Sequence, residues 1–213
     1  MRNGLLFFLG LFAALLITWA GIVLGSNAQL GHLAPYFDEN EGKAYPENTP
    51  GIAARGLLVY DDLGCAACHT QQVRRPSYGS DKARGWGDRQ SVARDYMRQS
   101  HVQLGESRIG PDLSNVGARK PAYDAEDLYK LLYTGQGGMP SYRFLFEDRK
   151  VIGEVSAKAL NLVGSLAPAP GHEIVPTHRA EALVAYLLSL NNVYEYPEAR
   201  PVEPAAAEKG EHK

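Results

Sequence analysis

The chain has very little cysteine. Its 213 residues include two, Cys65 and Cys68, too few for a disulfide framework, so the fold must stand on its core or on a bound group. It also lacks an excess of positive charge. A formal net charge of −2 leaves no case for nucleic acid as a partner, because nothing neutralises phosphates. From Gln71 to Tyr123 no apolar–polar alternation survives for even five residues, which speaks against half-buried strands there, and there is no internal repeat. One further absence is local: residues 5–24, "LLFFLGLFAALLITWAGIVL", carry no charge at all.

Those twenty residues, as a helix, span about 30 Å, the thickness of a hydrocarbon core, with Trp19 placed as an interfacial anchor. A cleaved signal peptide is the competing reading, with Ser26-Asn27-Ala28 as a weak cleavage site. Secretory apolar regions run only about 7–15 residues, which favours a retained anchor. Arg2 is the one charge before the span, and Asp38, Glu39 and Glu41 are the first after it. This asymmetry predicts a cytoplasmic N-terminus and an exported remainder.

Four regions follow: an anchor over 1–26, a connector over 27–48, a folded domain over 49–192 and a flexible Pro/Ala/Glu-rich tail over 193–213. Thr49-Pro50 reads as a helix cap with proline at the first helical position. "GIAARGLLVYDDLG" then sets Ile52, Gly56 and Tyr60 on one helical face ending at Gly64. From 71 to 123 the chain is mostly irregular, with one weak helix candidate over 91–99, a length of loop expected to be functional or wrapped around something. Asp124 caps a second helix, with Leu128, Leu131 and Leu132 on one face and Gly135 as its stop. Thr177 caps the strongest one, striped by Leu183, Val184, Leu187 and Leu188. The expectation is an all-α domain, too loop-rich to bury a good core unless a large apolar cofactor supplies its centre.

Both cysteines fall in "GCAACHT", residues 64–70. In Cys-x-x-Cys-His, two thiols on one turn can add across the vinyl groups of a haem, and the histidine can reach the iron. A dithiol redox site needs a βαβ setting that is not visible, and zinc needs two more ligands where no other cysteine exists. Haem is the favoured reading.

A carrier haem takes a sixth ligand. Met139, behind Gly135, Gly137 and Gly138 and before Pro140, is the favoured candidate. Met97 lies between Arg94 and Arg98, an expensive setting to bury, and His101 is the bis-histidine alternative. A histidine ligand needs its other ring nitrogen held, and the Gly-Pro turn of "IGPDLSNVG" offers the Pro111 carbonyl, unless it is a plain surface turn. Residues 71–120 carry ten Arg or Lys against five Asp or Glu, a solvated face or a bed for haem propionates. Arg74 and Arg75 are the preferred propionate partners among the ten. Trp86 and Tyr142 are expected to pack on the ring edge or to fill core.

Taken in order, the anchor, "GLLVYDDLGCAACHTQQVRRP", "RGWGDRQSVARDY", "RIGPDLSNVGARKP", "GGMPSYRFLFE" and "EALVAYLLSLN" resemble the monohaem subunit of cbb₃-type cytochrome c oxidases, the second subunit of C-family haem–copper oxidases. The resemblance covers residues 1 to about 192. It implies a class I cytochrome c-type domain with one covalent haem c, thioether-bound through Cys65 and Cys68. His69 is then the proximal ligand, Met139 the distal one, and Pro111 the support of His69.

The implied setting is a bacterial inner membrane, with the haem domain on the periplasmic side. The implied partners are a cytochrome c donor or dihaem subunit, and a large haem–copper subunit that reduces oxygen to water. No small-molecule substrate and no catalytic site of the chain's own are expected. A departure from the family pattern is "QQVRRP", where a methionine and a single Arg-Pro follow the haem motif in the form known best. Rival readings are a small haem c subunit of a nitric oxide reductase or quinol-oxidising complex, a haem sensor with an open iron site, and a dithiol oxidoreductase.

Overall fold

The structure, a computed structural model, describes residues 3–200. The first helix, α1, runs unbroken over Gly4–Leu30, with one wider π turn at Ala20–Leu24. It is long and apolar enough to cross a membrane, and none of its residues is buried by the rest of the chain. The helix passes the expected end of the anchor at 26, so its last turns, "GSNAQL", are a polar extension.

The connector is not aperiodic. It folds into a small antiparallel hairpin of β1 (Tyr36–Asp38) and β2 (Lys43–Tyr45), with Tyr36 opposite Tyr45. Helix α2 (Gly51–Asp62) begins one residue later than read, after Pro50, and no side chain caps it. A 3₁₀ turn at Cys65–Ala67 follows, then a long loop with single 3₁₀ turns at Ala93–Tyr96 and Val116–Ala118. The helix expected over 91–99 shrinks to the first of these turns. There the Asp95 carboxylate takes the Val92 amide and pairs with Arg89, which pins the residue inside instead of along a helix face.

Helix α3 (Ala125–Thr134) is capped by Asp124, whose carboxylate takes the Asp127 amide at 2.8 Å. Strands β3 (Phe146–Lys150) and β4 (His172–Pro176) pair antiparallel, and helix α4 (His178–Ser189) starts from Thr177 as read. The domain is therefore helical with two short hairpins rather than all-α. Their strands escaped detection because each has only three or five residues. The second is held partly by a cross-strand pair, Arg149 with the buried Glu173 at 2.8 Å, that hydropathy does not register.

The core forms where α2 crosses α4. Ala53, Val59 and Tyr60 meet Ala180, Leu183, Val184 and Tyr186, while Leu128 and Leu132 of α3 close one side. Ile52, expected on the buried face, is exposed, and Ala53 takes its place. Gly56 sets the crossing distance, since a Cβ there would lie 1.9 Å from the Ala182 carbonyl oxygen. Any side chain would force the backbones apart.

The connector and residues 194–199 are tied to the domain, contrary to a flexible tail from 193. Tyr196 is 1% exposed, and Tyr194 stacks on Tyr45 at 3.9 Å and donates to Asp38 at 2.6 Å. Arg94 bonds the Ala34 carbonyl and pairs with Glu198, and Arg98 reaches the Pro46 carbonyl. The connector and residues 194–199 thus clamp the end of the domain next to α1. The remainder of the expected tail, 201–213, lies outside the described residues.

If the α2–α4 contact sets stability, Gly56→Ala destabilises by roughly 1–3 kcal/mol of overpacking, a melting temperature lower by about 2–12 °C. Thermal unfolding followed by circular dichroism checks this. Leu58→Ala, on the exposed face of α2, stays within about 2 °C of the parent.

Candidate haem site

Helix α2 ends at Asp62, Gly64 takes a left-handed conformation, and the chain turns at once through both cysteines. The amides of Cys68 and His69 bond back to the Cys65 carbonyl at 3.2 and 3.0 Å, so the motif is one tight turn. Cys65 and Cys68 are free thiols, each half-buried. Burial pushes the Cys65 thiol up to about 11, so it is protonated at neutral pH. A dithiol redox enzyme needs the opposite shift.

His69 is fixed by a second segment, residues 104–114. Its Nδ1 lies 2.8 Å from the Pro111 carbonyl, which can only accept, so Nδ1 carries the proton and Nε2 keeps a free lone pair. The two segments are laced together by backbone bonds. Gln71 N reaches Leu104 O at 3.1 Å, Glu106 N reaches Ala66 O at 2.8 Å, Gly110 N reaches Cys68 O at 2.9 Å and Leu113 N reaches Thr70 O at 2.7 Å. The buried Asp112 carboxylate adds three more, from Thr70 Oγ1, Gln72 N and Ser114 N. Gly110 lies so close to the imidazole that a Cβ would fall 2.2 Å from Cε1.

Met139 is half-buried in the loop after α3, against the same apolar cluster that Cys65, Ala66 and Tyr142 touch. Burial and the nearby cysteines raise the Tyr142 phenol above its usual value. Leu104, Ile109 and Phe144 stand exposed on the segments that carry these residues. His101 is exposed.

The residues present suit a haem. They offer a bare imidazole nitrogen, a thioether, two free thiols on one turn, and apolar surface that no protein atom covers.

The arginines are placed otherwise than expected. Arg74 pairs with Asp81 at 2.9 Å, and Arg75 bonds Gln90 at 3.0 Å. Trp86 is buried outside the main cluster, between the guanidinium groups of Arg84 and Arg108 at 4.8 and 5.6 Å. Asp81 is fully buried and binds Arg74 and Arg108 together. Sequence reasoning missed Asp81 and Asp112, whose value lies in bonds to distant backbone. The one local signal was the Gly-Pro-Asp turn.

A helical domain with a site suited to haem, carried on a helix long and apolar enough to cross a membrane, defines a class: a haem protein with a candidate membrane anchor. Residues 43–169 match the family model described as "Cytochrome C oxidase, mono-heme subunit/FixO", and the chain belongs to that family. No curated protein matches the chain.

Asp81 gives this loop an acid dependence. Burial acts to raise its pKa, but the bonds from Arg74 and the pair with Arg108 outweigh it and hold the carboxyl at about 2. A folded pKa below the unfolded 3.8 means that the stability from Asp81 is present above pH 3.8 and fades as pH falls through about 2. Urea unfolding at two pH values tests the sign. Asp81→Asn destabilises the protein at pH 6, and the gap to the parent has largely closed at pH 2.

Proposed function

We propose that this chain is the membrane-anchored electron carrier of a cbb₃-type terminal oxidase. It would pass electrons from a cytochrome c donor or dihaem subunit to the haem b of the large catalytic subunit, which reduces oxygen to water. The observation that carries this reading is the His69 ring behind the two thiols, held through Nδ1 by Pro111 with Nε2 left free. Membership of the monohaem oxidase subunit family supports it.

In this reading Cys65 and Cys68 would hold one haem c by thioether bonds, and His69 Nε2 and the Met139 sulfur would bind its iron. The haem supplies a one-electron couple, tuned upward by a thioether opposite an imidazole. The chain's own residues fix its setting. Pro111 keeps the imidazole from rotating, the 104–114 segment covers the proximal side, and the loop from Gly135 presents the methionine.

With the iron held by two protein ligands, the centre would coordinate no substrate, and the chain would relay electrons without chemistry of its own. The acidic residues after α1 and the single Arg2 before it support an N-terminus in the cytoplasm and a domain on the periplasmic face of a bacterial inner membrane.

The test is purification from membranes through a tag on this chain, followed by rapid mixing of the reduced complex with oxygen. A haem–copper oxidase subunit is expected to co-purify, with haem c oxidised at the turnover rate. A nitric oxide reductase as the large partner, or a haem c that stays reduced through many turnovers, contradicts the proposal.

A further inference from the structure

A groove of about 640 Å³ opens where α1 meets the connector. Gln29, His32, Phe37, Asp38, Glu39 and Arg94 are among the residues that line it. The electron relay makes no use of it, because neither the cysteine turn nor the Pro111 segment forms any part of its wall.

Its level follows from the length of α1. Twenty-seven residues rise about 40 Å, the thickness of a bilayer with both headgroup layers included. The apolar run ends at Leu24, and the polar turns over 25–30 carry the chain out to the groove. The groove therefore lies at headgroup level. This level rests on α1 crossing the membrane, as in the reading of the chain as an anchored carrier. The surroundings agree with it. Tyr36, Tyr45, Tyr194 and Tyr196 gather beside the groove in stacked and edge contacts, and tyrosine is favoured at membrane–water interfaces. Leu30 and Phe37 stand exposed next to them.

The walls are fixed by the fold. Asp38 accepts the Tyr194 hydroxyl at 2.6 Å and the Asn40 amide at 2.8 Å, and these bonds hold its carboxyl below the usual range. Arg94 is tied to Glu198 and to the Ala34 carbonyl, so its charge is already answered. Glu39 is exposed and forms no ion pair among the described residues. The lining thus presents carboxylates at one place and the N–H groups of Gln29, His32 and Arg94 at another.

Such a lining repels a bare anion and suits a ligand that carries an ammonium and a phosphate close together. We propose that the groove binds the headgroup of an ethanolamine phospholipid, its ammonium on Asp38 and Glu39 and its phosphate toward Gln29, His32 and Arg94. A primary ammonium brings three N–H donors to the carboxylates. A choline headgroup has the charge without the donors, and a glycerol headgroup has neither. A lipid held there ties the domain to the membrane surface at a second point besides α1.

Photocross-linking of the intact complex tests this. Benzoylphenylalanine replaces Phe37, and the complex sits in nanodiscs of ethanolamine, choline and glycerol phospholipids in equal parts, all with the same acyl chains. Mass spectrometry then identifies the adducts on this chain. Ethanolamine lipid is expected to exceed each of the others about two- to fivefold, the worth of exposed ion pairs. Glu39→Gln is expected to lower that preference, and Glu154→Gln, exposed on the loop between β3 and β4, to leave it unchanged. Adducts in equal proportion overturn the proposal, as do a preference that survives Glu39→Gln and a peptide of another subunit as the only product. The same probe at Phe12, inside the apolar run, separates the anchor from the groove. Labelling of neither acyl chains nor a membrane helix from Phe12 refutes the anchored reading and the proposal with it, whereas lipid at Phe12 with unselective labelling at Phe37 overturns the groove alone.

Discussion

The contact on which the site depends is the hydrogen bond from His69 Nδ1 to the Pro111 carbonyl. An imidazole on a short turn has two free torsions and two chemically similar nitrogens. The Pro111 oxygen removes both ambiguities, fixing the ring's direction and leaving Nε2 as the basic nitrogen. The surrounding structure serves to keep that oxygen in place. Asp112 is tied by three hydrogen bonds, Gly110 leaves the only room the ring has, and four backbone bonds join the cysteine turn to the 104–114 segment. The turn that follows it, Val116–Ala118, rests on α4, where a Cβ on Gly117 would lie 2.0 Å from the Leu188 carbonyl oxygen. The α2–α4 crossing and the site are thus parts of one packed unit.

Charge organises the long loop more than apolar packing does. Its basic excess looks from composition like a solvated face or an anion bed. Three of its five acids, Asp81, Asp95 and Asp112, are buried, and the first two are tied to the arginines Arg74, Arg108 and Arg89. Most of its half-buried arginines are therefore internal fasteners. A loop held by ion pairs is rigid without being apolar, a useful property beside a cofactor with two carboxylates of its own.

Much of this was legible in the sequence wherever function is local. The cysteine turn, the Asp124 and Thr177 caps and the stripes of α3 and α4 follow from spacing alone. A Gly-Pro dipeptide pointed to a carbonyl, and a carbonyl lies against Nδ1. Long-range pairing was not legible. The hairpin β3–β4 relies on Arg149 meeting Glu173 across 24 residues of chain, and the clamp at the membrane end relies on Tyr194 and Tyr196 meeting the connector. Arg74 and Arg119 look alike in a string of letters. Only the position of Asp81 separates an arginine paired with a buried carboxylate from one that meets a main-chain carbonyl.

The central proposal is that His69 and Met139 would both ligate a haem iron, so that the chain would carry electrons and bind no small molecule. Carbon monoxide added to the reduced complex, followed in the haem c absorption bands, tests it most directly. The account predicts that the bands of the parent stay unchanged and low-spin, while Met139→Ala opens the site and binds the gas. Carbon monoxide binding at haem c in the parent, or a Met139→Ala variant that behaves like it, would contradict the account.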